Sequence, residues 1–444
     1  MARDLKRPPA PGEAEEADIV DLAHDGRGVA RSQGKAVFVP GALPGERVRY
    51  RVLKRRRQYD EAALVEVLAA SPDRVVPRCA HFGICGGCSL QHLAPAAQLA
   101  AKERQLLDNL ERIGRVRPQR VLAPLKGPEF AYRRRARLGV KYVHKKGRVL
   151  AGFREREKPY LADLRRCEIL LERFATLPQD LAALVETLSL REQLPQVEVA
   201  AGDETAALVF RVMAAPDADD VRKLEQFGAR LGAQIYLQTG GLETIRPLSG
   251  PASPLTYALD GGRITIEFGP ADFIQINREV NIAMVAAAVE LLQPAAGDRV
   301  LDLFCGLGNF TLPLSRRALS VTGVEGDAAL VARARSNAAR NGAANADFVV
   351  DDLFEPARLG GWAAAPYDLV LLDPPRAGAL AIMERMAQWR PRRVVYISCH
   401  PGSLARDAGI LVEAQGFQLT GAGVMDMFPH TTHVESVAVF ERGT

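Results

Sequence analysis

The chain has 444 residues, 48% of them apolar, which leaves room for two to four domains with ordinary cores. No window approaches 18 uninterrupted apolar residues, and the start, M-A-R-D-L-K-R-P-P-A-P-G-E-A-E-E, lacks an apolar core of signal-peptide length, so no membrane partner is expected and a soluble cytoplasmic protein is. The net charge of +5 hides an asymmetry: residues 101–166 hold 20 Lys and Arg against 7 Asp and Glu, a net of +13, and the rest of the chain nets −8.

In chain order, residues 1–15 are rich in Pro, Glu and Ala and read as a disordered tail. Over 16–72, short alternating runs broken by turn signals (D-I-V-D-L, D-G-R-G-V-A, K-A-V-F-V-P, R-V-R-Y-R-V-L, A-L-V-E-V-L) predict a small five-stranded barrel, with basic Lys54–Arg57 on one of its loops. A cysteine-rich loop follows from Pro77 to Leu93, and then a helix over 95–113, able to pack on the C-terminal domain, with apolar Leu99, Leu106, Leu107 and Leu110. Residues 73–265 as a whole read as a central, β-rich domain. Within it Arg133, Arg134, Arg135, Arg137, Lys141, Lys145, Lys146 and Arg148, interleaved with Tyr132, Tyr142 and Phe153, form the footprint expected for a phosphate backbone; a solvated charged face is the competing reading. Over 266–444 the pattern becomes regular βα alternation. Strands near 299–303, 320–325, 346–350, 367–372, 393–398, 417–425 and 434–441 predict an α/β fold, a mostly parallel, doubly wound, Rossmann-like sheet.

Val300–Phe310, V-L-D-L-F-C-G-L-G-N-F, is a strand running into a glycine turn and then a helix. Glycines there let the backbone approach a cofactor, and the helix start favours polar groups. Glu325 ends the next apolar run, where its carboxylate could hold ribose hydroxyls. A dinucleotide site wants a third glycine where this chain has Thr311, which favours S-adenosylmethionine over NAD; a plain βα turn is the alternative.

Cys79, Cys85 and Cys88 are spaced C-x5-C-x2-C with Gly86 and Gly87 between the last two. A fourth ligand would complete the set. Cys305 and Cys399 belong to the doubly wound sheet, which leaves Cys167, and four thiolates suit either zinc or a [4Fe–4S] cluster; spacing alone does not separate them, although x5 is wide for a zinc knuckle. Three unliganded thiols are the plain alternative.

V-V-Y-I-S-C-H-P ends a buried strand at Cys399, at the sheet edge where ligands bind. D-L-V-L-L-D-P-P-R-A-G delivers Asp373, and H-T-T-H-V-E-S delivers Glu435. A cysteine, a methyl donor and a carboxylate base suit methylation of a pyrimidine C5: the thiolate adds at C6, C5 becomes nucleophilic, and the base then removes the C5 proton. Arg376 stands where amino-directed methyltransferases carry a stacking aromatic, which argues against N-methylation. His400, His430 and His433 read as structural or supporting groups.

These motifs resemble the RNA uracil-C5-methyltransferase family over nearly the whole chain. D-G-R-G-V-A and K-A-V-F-V-P-G-A-L-P-G-E are similar to a TRAM domain, an OB-like RNA-binding barrel. C-A-H-F-G-I-C-G-G-C-S-L-Q-H is similar to the family's iron–sulfur motif, and the resemblance implies [4Fe–4S] with Cys79, Cys85, Cys88 and Cys167 as ligands. It implies Cys399 as nucleophile and Glu435 as base, and S-adenosylmethionine held by Gln275 (F-I-Q-I-N), Phe304, Asn309, Glu325, Asp352 (D-D-L-F) and Asp373. Two departures stand out: His400 where the family commonly has Asn, and D-P-P-R where it often has D-P-A-R. Having both barrel and cysteine cluster implies a 23S rRNA substrate, free or in a pre-ribosomal particle, for a protein expected as a monomer. The rivals are a uracil in tRNA or elsewhere in rRNA, and a non-catalytic iron–sulfur RNA-binding or sensor protein.

Overall fold

The computed structural model describes residues 14–443, and its internal contacts divide into two units. The first takes in the chain up to Ala101 together with His430–Thr432; the second takes in Lys102–Pro429 and the chain from His433 onward.

In the first unit β1 (Glu15–Leu22), β2 (Arg27–Ser32), β3 (Lys35–Pro40), β4 (Arg47–Arg55) and β5 (Tyr59–Ala69) close into a barrel in the order β1-β2-β3-β5-β4, with β4 pairing back on β1. The alternation in these runs points Ile19, Val37, Val39, Val48 and Tyr50 into one core, and closure leaves no unpaired edge. The tail expected over 1–15 is shorter at its inner end, because Glu15 already pairs with Tyr50; its residues 1–13 lie outside the described residues. Lys54 and Arg55 are the last residues of β4 rather than loop, since they still pair with Glu61 and Asp60 of β5. Helix α1 (Pro95–Arg112) carries the chain on into the second unit.

The second unit holds two large sheets. One has six strands, β6 (Arg135–Val143), β7 (Arg148–Gly152), β8 (Gln196–Ala201), β9 (Ala206–Arg211), β10 (Gln234–Gln238) and β11 (Arg246–Pro247), in the order β11-β10-β9-β8-β6-β7. It carries α2 (Leu177–Glu186) and α3 (Ala218–Leu231). The α3 ends follow local chemistry: the Asp217 carboxylate accepts from the Asp219 and Asp220 amides, and Gly232 closes the other end at φ 60°. A hairpin of β12 (Leu255–Leu259) and β13 (Ile264–Phe268) comes next in the chain. The central domain expected over 73–265 is therefore split, its first part belonging with the barrel and its remainder with the second unit.

The other large sheet has seven strands: β14 (Arg299–Leu303), β15 (Ser320–Glu325), β16 (Ala346–Val350), β17 (Leu369–Leu372), β18 (Arg393–Ser398), β19 (Phe417–Met425) and β20 (Glu435–Arg442). Their order is β16-β15-β14-β17-β18-β20-β19. β14 to β18 run parallel, and the last strand in the chain, β20, is antiparallel to both neighbours. The helices are α4 (Arg278–Leu292), α5 (Thr311–Ser315), α6 (Ala328–Arg340), α7 (Leu380–Met383), α8 (Met386–Trp389) and α9 (Pro401–Glu413). α4 packs on β17, β18 and β20, α6 on β15 and β16, and α9 on β18, β19 and β20. β17 and most of β18 are buried on both faces, which is why they read as continuous apolar runs. Among the described residues no helix is long and apolar enough to cross a membrane.

Candidate active site

The carboxyl ends of β14, β15, β17 and β18 deliver, in turn, the glycine turn, Glu325, Asp373 and Cys399 to one edge of the seven-stranded sheet. β20 runs the other way, so its first residue, Glu435, arrives at that same edge.

The glycine turn begins with strain. Phe304 sits at φ 63°, a region costly for a residue with a Cβ, while Gly306 and Gly308 take φ 53° and 89° without that cost. A Cβ built on Gly306 would meet nothing within 4 Å, so the turn opens onto free space. Glu325 braces it: Oε2 accepts from the Gly306 amide at 3.2 Å and Oε1 from the Asp327 amide at 3.1 Å. Asn309 does not face that space alone. Its Oδ1 accepts from the Tyr257 hydroxyl (2.9 Å) and its side chain exchanges bonds with Asn281 (3.0 and 3.2 Å). Asp352 is exposed, its Oδ1 accepting from the Phe354 amide, and the Phe354 ring lies 5.8 Å from that of Phe304. Gln275 is half-buried in a segment whose carbonyl accepts from Arg134 Nε at 3.1 Å.

Sequence reasoning missed Asp302, an acid inside the apolar run V-L-D-L. It is fully buried beneath the glycine turn; Oδ2 accepts from the Thr311 hydroxyl at 2.5 Å and Oδ1 has no partner. Burial, with Asp373 and Glu325 nearby, pushes its carboxyl up to about 7. The only sequence signal was that an acid flanked by leucines in a central strand needs a reason to be there.

The acids and the thiol influence one another. Burial first, then Asp373, raises the Glu435 carboxyl well above the carboxylate range, and burial raises Asp373 to about 7. The Cys399 thiol is pushed up to about 11 by burial and by the Glu435 and Asp373 carboxyls, with Arg376 opposing. Arg376 is exposed on the D-P-P-R loop, which is pinned from below by Asp407: its Oδ2 accepts from the Ala379 amide (2.8 Å) and the Tyr396 hydroxyl (2.6 Å). His400, Arg376 and Arg406 lie close enough that burial and the two guanidinium charges hold the imidazole below its ordinary value.

His400 has a local task. It is the N-cap of α9, with Nδ1 accepting from the Ser403 amide at 3.1 Å. Asn serves the same purpose at helix starts, so the departure from the family pattern preserves the cap.

In the first unit, turns at Cys79–Phe82 and His81–Cys85 fold the cysteine loop back on itself, with Gly83 at φ 86° and the Gly87 amide directed at Cys85 Sγ (3.4 Å). The Ser89 and Leu90 amides both donate to the His430 carbonyl at 2.9 Å. Cys167 lies buried in the second unit. Among the described residues no group of three or more His, Cys, Asp or Glu side chains is placed to hold a metal ion.

The basic block expected to meet RNA divides in two. Arg134 is 2% exposed, and Arg135 binds the Ala271 and Asp272 carbonyls and pairs with Glu198, as does Arg137. Arg137, although paired with Glu198, remains exposed, as do Lys141, Lys145, Lys146 and Arg148.

A methyltransferase fold with a strand-end thiol and a carboxylate beside it defines the class. The family model described as tRNA (Uracil-5-)-methyltransferase matches residues 96–443, and the TRAM domain model matches residues 10–65. The chain is 51% identical over 443 residues to the 23S rRNA (uracil(1939)-C(5))-methyltransferase RlmD of Methylococcus capsulatus, covering 100% of both chains. It is also 51% identical over 430 residues to the RlmD of Stenotrophomonas maltophilia, covering 96% of this chain and 97% of that one. A solved tRNA (uracil-54, C5)-methyltransferase of Pyrococcus abyssi, in complex with S-adenosyl-L-homocysteine, shares the fold (TM-score 0.73, 24% identity, 96% of this chain and 100% of that one). The chain belongs to the RNA uracil-C5-methyltransferase family.

Proposed function

We infer that this protein methylates C5 of a uracil in 23S rRNA, at the position corresponding to 1939, with S-adenosylmethionine as donor. The observation that carries the reading is the placement of Cys399, directly after β18, and Glu435, the first residue of its antiparallel neighbour β20, at one sheet edge in a chain alike end to end to RlmD proteins. Asp373, Glu325, Phe304, Asn309, Gln275 and Asp352 would hold the donor. The open space before Gly306 and the unpartnered Asp302 oxygen beneath the turn suit a polar nucleoside ligand. When bound, S-adenosylmethionine supplies an electrophilic methyl group.

The residues' tasks follow from chemistry. The Cys399 thiolate bonds to uracil C6, which leaves C5 electron-rich. C5 takes the methyl group, and the Glu435 carboxylate accepts the C5 proton. The Cys399–C6 bond then breaks, its electrons returning to sulfur as the ring double bond reforms. Both groups must lose a proton in a site whose burial opposes charge, so Arg376, the cation acting on Cys399, assists thiolate formation. The target base has to leave its stack to reach a thiol at a sheet edge.

The proposal includes a [4Fe–4S] cluster on Cys79, Cys85, Cys88 and Cys167, serving structure or RNA placement. It is supported by the folded-back loop and by an amide directed at a cysteine sulfur, features that suit thiolate ligands, and by the family motif. It also includes a central iron–sulfur and RNA-binding segment, a monomeric active form, and a cytoplasmic site of action on free or partly assembled 23S rRNA.

Incubation with tritiated S-adenosylmethionine and separate 23S rRNA and tRNA transcripts, followed by digestion, tests the reading. It predicts label in 5-methyluridine from 23S rRNA. Label in tRNA alone overturns the substrate, and label in another nucleoside overturns the chemistry. Iron and sulfide analysis of anaerobically purified protein tests the cluster, and a zinc-only protein would refute it.

A further inference from the structure

Three arginines read from sequence as RNA contacts stand next to one another in the chain, yet two of them point into the protein. Arg134 is 2% exposed. Its Nε donates to the Gln275 carbonyl (3.1 Å), its backbone amide donates to the Ile276 carbonyl (3.1 Å), and Nη1 lies 3.4 Å from Asp203. Arg135 donates to the Ala271 and Asp272 carbonyls. Two consecutive guanidinium groups on the start of β6 and the residue before it thus grip the backbone of 271–275 at three carbonyls. No regular strand or helix supports that stretch.

The same guanidinium reaches a second wall. Arg134 Cζ lies 4.7 Å over the ring of Tyr257, which is 4% exposed, and the Tyr257 hydroxyl donates to Asn309 Oδ1 at 2.9 Å. Asp203 fixes the assembly from behind: it takes both Nε and Nη2 of Arg278 (2.7 and 3.1 Å) and the Ala258 amide (2.9 Å). One buried network therefore runs from β6 to the Gln275 segment on one side and, through Tyr257, to the glycine turn on the other.

We propose that Arg134 and Tyr257 are positioning residues for the methyl-donor site, holding the Gln275 segment and Asn309 of the glycine turn in one fixed geometry. This rests on the reading that those two segments hold S-adenosylmethionine. Neither residue touches the reacting atoms. Tyr257 donates the shorter of the two hydrogen bonds to the Asn309 carbonyl oxygen, sharing the orientation of that amide with Asn281, and Arg134 sets the height of the Gln275 backbone while its planar face holds the Tyr257 ring. Lysine cannot supply both the fork and the stacked face.

The test is calorimetric titration of the full-length protein with S-adenosylhomocysteine, alongside steady-state methyl transfer and a thermal melt. Tyr257→Phe keeps the ring and deletes one hydroxyl. The expected result is an unchanged melting temperature, a Kd for S-adenosylhomocysteine weakened about five- to ten-fold, and a raised KM for S-adenosylmethionine at nearly constant kcat. Arg134→Lys is expected to shift Kd in the same direction. A Tyr257→Phe protein with wild-type Kd overturns the proposal, as does an Arg134→Lys protein that melts earlier yet binds as wild type. Should Arg134→Lys not fold, Tyr257→Phe alone decides the matter. A wild-type protein that fails to bind S-adenosylhomocysteine refutes the donor reading instead, so the two failures are distinct.

Discussion

Cys399 and Glu435 occupy the next positions outward from the Ser398–Ser436 pair of the β18–β20 ladder, so an antiparallel strand sets the carboxylate beside the thiol. The strands are held at that end by the Ser436 hydroxyl, which donates to the Ser398 carbonyl at 3.2 Å. Thiol and carboxylate are thus placed by the ends of two paired strands, with Cys399 directly after β18 and Glu435 opening β20.

The order of events assigned to this pair can be separated by mutation. Cys399→Ala removes the bond to C6, and methyl transfer should fall below detection with the fold intact by circular dichroism. Glu435→Gln leaves attack and methylation possible but stops proton removal, so a covalent protein–RNA adduct should accumulate and migrate slowly on denaturing gels. Normal product release by Glu435→Gln would remove that residue as the base.

Buried acids in the site impose a stability gradient. Asp302 and Asp373 are each raised to about 7 by burial, from an ordinary value of 3.8 in the unfolded chain. Between roughly pH 4 and 7 the folded protein therefore holds protons that the unfolded chain has released. The stability these groups contribute is complete at the acid end of that window and is lost as pH rises through about 7. Asp302→Asn abolishes one of the titrations. Its urea midpoint should fall less steeply than that of the wild type from about pH 5 to pH 8. Parallel slopes would show that Asp302 ionises normally in the folded state.

The seven strands of the catalytic sheet were legible within a residue or two, because buried parallel strands are unbroken apolar runs bounded by turn residues. Cys399, Asp373 and Glu435 could be placed at strand ends for the same reason. The interior of the basic block was not legible. Whether Arg134 and Arg135 face water depends on Asp203 and Glu198, more than 60 residues away in the chain, and on carbonyls of 271–275 farther still. Nor does periodicity reveal that Asn309 is held by Tyr257, because that bond joins a hairpin to a glycine turn 52 residues on.

His400 offers a direct comparison with the family pattern. If its task is to cap α9, His400→Asn should match the wild type in melting temperature and methyl transfer. His400→Ala should cost about 1 kcal/mol, the typical worth of a helix cap. Activity lost in His400→Asn with the melt unchanged would instead assign the imidazole a part in the chemistry. Burial and the charges of Arg376 and Arg406 hold its imidazole below the ordinary value, which favours the form that accepts from the Ser403 amide.

The division of the basic block predicts two different phenotypes from charge reversal. Lys145 and Lys146 are exposed on the short turn between β6 and β7, where Gly147 at φ 63° closes the loop. Lys145→Glu with Lys146→Glu should weaken RNA binding at low salt and flatten the dependence of log K on log salt by about one for each phosphate no longer neutralised, with the melting temperature preserved. Arg135→Glu should do the reverse. It places a carboxylate against the Ala271 and Asp272 carbonyls and beside Glu198, so the protein should melt earlier. The salt slope of the fraction still folded should stay as in the wild type. Filter binding at salt concentrations from about 50 to 200 mM, paired with melts, distinguishes the cases. An unchanged slope for the lysine pair would make that turn a solvated surface, and a stable Arg135→Glu protein with a reduced slope would return the arginines to the RNA interface.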